Sequence, residues 1–148
     1  MKARKLLFPT DYSTCGDEAL EMAASLARDT GATLLVVHVE EPPLAYGSGE
    51  MYYGEPEPDN EELMRMLKEV VPRDLHVPCE HRLVTGEPAQ AIVDLAEREG
   101  VDMIVMGTHG RTGLSRLLMG SVAEAVVRRA ACPVLTVKHP RTEQPAAE

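Results

Sequence analysis

The 148-residue chain predicts one α/β domain: an open five-stranded parallel sheet with helices on both faces. Apolar runs alternate with apolar residues at helical spacing, which is the pattern of βαβ units. Two of those runs, residues 33–39 and 101–106, are almost continuously apolar, as strands covered on both faces must be. At 44% hydrophobic residues the chain can bury one core but is too short for two ordinary domains.

The first strand is residues 5–8, KLLF. The helix after it carries Ala19, Ala23, Leu26 and Ala27 on one face, and Gly31 suits its C-terminal exit. The second strand is residues 33–39. Residues 40–58 interrupt the alternation with four prolines, three glycines and Tyr46, Tyr52 and Tyr53. This is a loop insertion, read either as a surface excursion or as a lid whose tyrosines cover a ligand. Asp59 and Glu62 stand at capping-box spacing before a helix with Leu63, Met66, Leu67 and Val70 on one face.

The third strand is residues 75–83, with Leu75, Val77, Cys79, His81 and Leu83 on one face, and Pro78 confines it to a sheet edge. Pro88 opens the third helix, Ile92, Leu95 and Ala96 form its face, and Gly100 ends it. The fourth strand, residues 101–106, leads to a helix with Val122, Ala125, Val126 and Ala130 on one face. Val134–Val137 follows Pro133 as a short edge strand. The domain is therefore residues 1–138, and residues 139–148, with two prolines and no periodicity, form a flexible tail.

A formal charge of −9 opposes nucleic-acid binding, which depends on basic residues that displace counterions. No apolar run reaches the roughly 20 residues needed to span a bilayer, and the N-terminus lacks a signal-peptide core, so no membrane partner is expected. Cys15, Cys79 and Cys132 lack the paired spacing of a zinc site or a disulfide framework. The expected setting is the cytoplasm.

Residues 107–121, GTHGRTGLSRLLMGS, have glycines spaced G-x-x-G, then nine residues, then G-S. Glycine admits close approach of a ligand, and backbone N–H groups at the following helix N-terminus favour an anion. The charges here are Arg111 and Arg116, with no carboxylate, in an otherwise acidic chain. The alternative is purely geometric: glycines shape a turn, and Ser121 caps its helix with Glu124.

A second element bears on the choice. Pro9, Thr10, Asp11, Tyr12 and Ser13 leave the first strand at the carboxyl edge of the sheet. The expected strand order is 3-2-1-4-5. In a flavodoxin-like winding of this kind the first and fourth strands flank the point of reversal, where ligands of open α/β sheets bind. Asp11 there could accept from a base or ribose, or help hold a divalent metal with the phosphates; it and Ser13 could equally be helix caps. The P-loop and Rossmann glycine signatures are absent. His109 reads as a solvated loop residue and His38, in a central strand, as a hydrogen-bonded core or pocket histidine. Met103, Met106, Met119 and Cys132 read as packing residues.

With these pieces assembled, the chain resembles the universal stress protein family, a group of small α/β domains, over nearly its whole length. The matching segments are KLLFPTDYS, LLVVHVEE, VTGEPAQAIVDLAE, VDMIVMGTHGRTGLSRLLMGSVAEAVV and ACPVLTVK, and the G-x-x-G, nine residues, G-[ST] pattern marks the ATP-binding branch. The resemblance implies an adenine nucleotide α-hydrolase-like fold, with Pro9, Thr10, Asp11 and Val39 at the adenine and Gly107, Gly110, Gly120 and Ser121 on ribose and phosphates. Arg111 and Arg116 join the site on charge alone. It also implies a homodimer through Val134–Val137, which would cover a sheet edge.

The expected function is a nucleotide-dependent stress-response module that binds ATP, ADP or AMP, with Mg or Mn as companion ion, and needs no catalytic residue. The alternatives are a slow ATPase or autophosphorylating protein, with Ser121 or Thr112 as acceptor, and a dimeric scaffold that binds no nucleotide.

Overall fold

The structure, a computed structural model, describes residues 2–42, 60–108 and 119–138. Its sheet takes shape from strands β1 (Lys5–Pro9), β2 (Thr33–Glu40), β3 (Cys79–Thr85), β4 (Met103–Gly107) and β5 (Val134–Val137), all paired in parallel in the order β3-β2-β1-β4-β5. The expected order therefore holds. It differs from the flavodoxin order 2-1-3-4-5, whose reversal lies between the first and third strands; here β1 and β4 are the neighbours from which the chain winds in opposite directions.

Side chains alternate across the two faces of the sheet, so each central strand serves two cores. Leu6, Phe8, Leu34, Val36 and Val105 face helix α1 (Asp17–Thr30), which contributes Ala19, Leu20, Ala23, Ala24 and Ala27, and helix α2 (Asn60–Lys68), which contributes Leu67. Leu7, Leu35, Val37, Ile104 and Met106 face helix α3 (Pro88–Glu99), with Ile92, Leu95 and Ala96, and helix α4 (Ser121–Arg129), with Ala123 and Val126. Leu6, Leu7, Leu34, Leu35, Val36, Val37, Ile104 and Val105 lose all solvent contact. Each such side chain contributes about 1.5–3 kcal/mol of burial.

Helix ends follow their sequence signals where glycine or proline supplies them. Gly31 (φ 75°) and Gly100 (φ 64°) close α1 and α3 in the left-handed region, and Pro88 opens α3. The cap of α3 is Glu87, whose carboxylate accepts from the N–H groups of Ala89 and Gln90.

Several expectations are corrected. The third strand begins at Cys79, not residue 75. Asp74 turns the chain first, its side chain accepting from His76 N–H and its carbonyl from Val77 N–H, and Leu75 is left 80% exposed. Pro78 then joins the ladder through its carbonyl, which accepts from Leu34 N–H, and β3 is an edge as expected. In α2 the inward methionine is Met64, with Met66 exposed; in α4 it is Ala123 that is buried, with Val122 exposed. Met119 is exposed rather than packed, while Met103 and Met106 pack, and Cys132 is half-buried. Gly120, not Ser121, occupies the N-cap of α4, and no side chain caps it.

The capping partner Asp59, most of the insertion at residues 40–58 with its three tyrosines, and the tail at residues 139–148 lie outside the described residues.

Candidate functional site

The seam between β1 and β4 is the shortest in the sheet. β1 pairs with β2 over five residues, ending at Pro9↔Val37, and β4 pairs with β5 as far as Gly107↔Val137. Between β1 and β4 the pairing covers only Leu6↔Met103 and Leu7↔Ile104. The carboxyl ends of the two strands are thus bonded to their outer neighbours and not to each other. Open α/β sheets take their ligands in a crevice at this point of reversal.

One side of the crevice is the loop after β1. Thr10 extends the ladder, its N–H donating to Val37 O at 2.8 Å, and its Oγ1 accepts from Tyr12 N–H at 3.0 Å. That bond holds Tyr12 at φ 67°, the single positive-φ non-glycine among the described residues. Left-handed backbone is costly for a bulky side chain and concentrates at functional loops. Asp11 Oδ1 accepts from Ser13 N–H at 2.9 Å, so Asp11 shapes the turn that leads into the 3-10 turn Thr14–Gly16 and then α1. Ser13 does not cap as expected: it stands at the N-cap position, but its hydroxyl is buried without a hydrogen bond among the described residues.

The other side is β4 and α4. Gly107 ends β4 and Thr108, buried, donates its N–H to Val137 O at 3.1 Å, while its carbonyl accepts from Gly120 N–H at 2.6 Å. Thr108 and Gly120, on either side of the glycine-rich segment, therefore meet. At α4 the side chain of Ser121 is exposed and takes no part in capping, which removes the purely structural account of that serine. A helix N-terminus whose cap is glycine keeps N–H groups available to an anion.

Behind the loops, β2 ends in Val39, half-buried against the α3/α4 core, and Glu40, whose carbonyl accepts from Gly86 N–H at 3.0 Å. His38 points the opposite way, with Nδ1 2.8 Å from Thr10 O and Nε2 2.9 Å from Glu40 Oε1. The Tyr12 ring lies against it at 4.4 Å between centroids. His38 is hydrogen-bonded as expected, but its link to the first loop was missed. Only the pairing of β1 with β2 brings Thr10 O beside it.

Of the expected site residues, Pro9, Thr10, Asp11, Val39, Gly107, Gly120 and Ser121 belong to the carboxyl edges of β1, β2 and β4 and the start of α4. Gly110, Arg111 and Arg116, with Thr112 and His109, lie outside the described residues. No cluster of three or more His, Cys, Asp or Glu that could hold a metal occurs among the described residues. Among the same residues, no helix is long and apolar enough to cross a membrane.

The model of the universal stress protein family matches residues 2–138. A universal stress protein of Methanocaldococcus jannaschii is 37% identical over 145 residues, covering 95% of this chain and 85% of its own length. The solved structure of a hypothetical protein for which a structure-based assignment of biochemical function was made has a TM-score of 0.71 at 28% identity, covering 96% of this chain and all of the other. The universal stress protein of Archaeoglobus fulgidus, solved in complex with dAMP, has a TM-score of 0.64 at 25% identity and covers 93% of this chain and all of its own.

Proposed function

The chain belongs to the universal stress protein family, and on that premise we propose that it binds an adenine nucleotide, ATP foremost, in the crevice between β1 and β4 and acts as a homodimeric, nucleotide-dependent stress-response module. The observation that carries the reading is the two-residue seam of β1 with β4, which opens the sheet between a carboxylate-bearing loop and a glycine-capped helix start. Pro9, Thr10, Asp11 and Val39 line the adenine side. Gly107, Gly110, Gly120 and Ser121, with Arg111 and Arg116, take the ribose and phosphates. The dAMP bound by the Archaeoglobus relative supports an adenine ligand.

The exposed hydroxyl of Ser121 and the buried hydroxyl of Ser13 fit this use, since the described fold gives neither a hydrogen bond of its own. Mg or Mn would reach the site on the phosphates, with Asp11 as its protein ligand, and add positive charge in a chain of net charge −9. Dimerisation through Val134–Val137 would cover the half-exposed β5 edge.

Calorimetry of ATP with magnesium against nucleotide-free protein tests the reading, together with native mass spectrometry for co-purified nucleotide and for dimer mass. Saturable binding lost in Asp11→Ala supports it. Absence of heat with ATP, ADP and AMP alike rejects it in favour of a scaffold.

A further inference from the structure

Tyr12 stands at φ 67°, alone among the described residues other than glycine in having positive φ. Where the fold needs such backbone only to end a helix, at Gly31 and Gly100, it uses glycine, which takes it without steric cost. A bulky aromatic residue takes it at a cost, and the conformation persists only where its surroundings over-determine it. Tyr12 directly follows Asp11 at the carboxyl edge of β1.

The surroundings of Tyr12 do so through backbone and ring together. Its N–H donates to Thr10 Oγ1 at 3.0 Å, and the next N–H, that of Ser13, donates to Asp11 Oδ1 at 2.9 Å. Thr10 is itself pinned to β2, its N–H donating to Val37 O at 2.8 Å. The Tyr12 ring packs against the core that α1 covers, and its centroid lies 4.4 Å from that of the His38 imidazole, the planes tilted by 40°. His38 stands in β2 with Nδ1 2.8 Å from Thr10 O. Backbone and ring of Tyr12 therefore both lead back to one short stretch of β2, Val37 and His38.

The hydrogen bonds and the ring act differently. A glycine at this position could form the same hydrogen bonds, but only as one choice among several, since glycine populates positive and negative φ alike. The ring removes the other choices, because turning φ away from 67° swings it off His38 and returns apolar surface to water. We propose that Tyr12 is a positioning residue of the nucleotide site: its ring, wedged against His38, holds the turn of Thr10, Asp11 and Tyr12 in the conformation that presents Asp11 to the ligand. This rests on the nucleotide reading above. Tyr12 need not touch the nucleotide. It raises the fraction of molecules whose loop is ready to bind, and apparent affinity scales with that fraction.

The test compares wild type with Tyr12→Gly, which removes the ring, and with Tyr12→Phe, which keeps it. Glycine also relieves the backbone cost of positive φ, which offsets part of the lost burial and keeps the variant folded. Val77→Ala, a truncation in the same core just before β3, controls for lost stability alone. Calorimetry with ATP and magnesium, well below each Tm, reports affinity. Hydrogen exchange of the residue 12 and Ser13 amides in ligand-free protein reports the turn. The expected result is a Kd raised about tenfold in Tyr12→Gly, as for a turn that is ready in about one molecule in ten, with both amides exchanging several-fold faster. Tyr12→Phe stays within about twofold of wild type, and Val77→Ala binds as wild type does despite a lower Tm.

An unchanged Kd in Tyr12→Gly, or a loss in Tyr12→Phe as large as in Tyr12→Gly, overturns the proposal. So does an equal loss in Val77→Ala, which would make the effect one of stability. If wild type binds no nucleotide, the nucleotide reading fails instead, and the amides, which need no ligand, decide the rest: faster exchange in Tyr12→Gly upholds the ordering of the turn by Tyr12, and equal exchange overturns it.

Discussion

The N–H of Gly120 donates to the carbonyl of Thr108 at 2.6 Å, which joins the end of β4 to the start of α4. The same bond consumes the N–H of the cap residue and leaves those of the first helical turn. Ser121, one residue on, is exposed and caps nothing.

Ser121→Ala therefore separates stability from binding. Surface substitutions away from caps change stability by at most about 0.5 kcal/mol, so the Tm is expected to stay within about 2 °C of wild type. Loss of a hydroxyl that bonds a phosphate costs about 1.5–3 kcal/mol, roughly 10- to 100-fold in Kd for ATP. Scanning calorimetry and titration calorimetry on the same preparation check both halves. A large fall in Tm would return Ser121 to a structural role.

Glu87 is the residue that does cap. Its carboxylate accepts from Ala89 and Gln90 N–H groups, and Arg129 Nη1 reaches it at 3.3 Å. Glu87→Ala is expected to cost about 1 kcal/mol and lower the Tm by about 2–4 °C, measured by thermal melting. Arg129→Ala is expected to cost less, since the ion pair is exposed and such pairs contribute at most about 1 kcal/mol.

How far the sequence reaches is visible in where it went wrong. β5 lies at Val134–Val137 as expected, and the glycine and proline punctuation at Gly31, Pro88 and Gly100 is local chemistry that needs no tertiary context. The third strand slipped because Asp74 folds its side chain back on His76, an option that apolar alternation through Leu75 and Val77 does not register. The faces of α2 and α4 slipped because adjacent apolar residues compete: Met64 against Met66, and small Ala123 against Val122, with only packing to choose between them. At the site, Pro9, Thr10 and Asp11 were legible from their place after a strand. The contact of His38 with Thr10 O was not, because that partner is a backbone carbonyl of the loop after β1.

Acid sensitivity follows from four carboxylates, among them Asp74, held below its ordinary range chiefly by the N–H of His76. Asp102 is held below its ordinary range chiefly by the N–H of Arg4 and then that of Lys5, Glu99 by Lys5 and Arg82, and Glu87 by Gln90 N–H. Each is more acidic folded than unfolded, so its stabilisation is full above the unfolded value, near 4, and is lost as pH falls through the lower folded value. Urea midpoints are expected to be level from about pH 7 to about pH 5 and to fall steeply below about pH 4.5. Asp102→Asn should be less stable at neutral pH and less acid-sensitive.

Burial raises the thiols of Cys79 and Cys132 above the ordinary range, with Glu80 adding to the effect at Cys79 and Asp102 at Cys132. The thiolate is the nucleophile, so a raised thiol reacts slowly. At Cys79 the neighbouring His81 does not offset this, because its Nε2 is engaged by Val70 O at 2.9 Å and stands 3.8 Å from the sulfur. Iodoacetamide at about pH 8 is therefore expected to label both cysteines several-fold more slowly in the folded protein than in urea, by peptide mass spectrometry. Rapid labelling of folded Cys79 would instead mean that β3 opens locally at the sheet edge, and urea well below the unfolding midpoint would then accelerate it further.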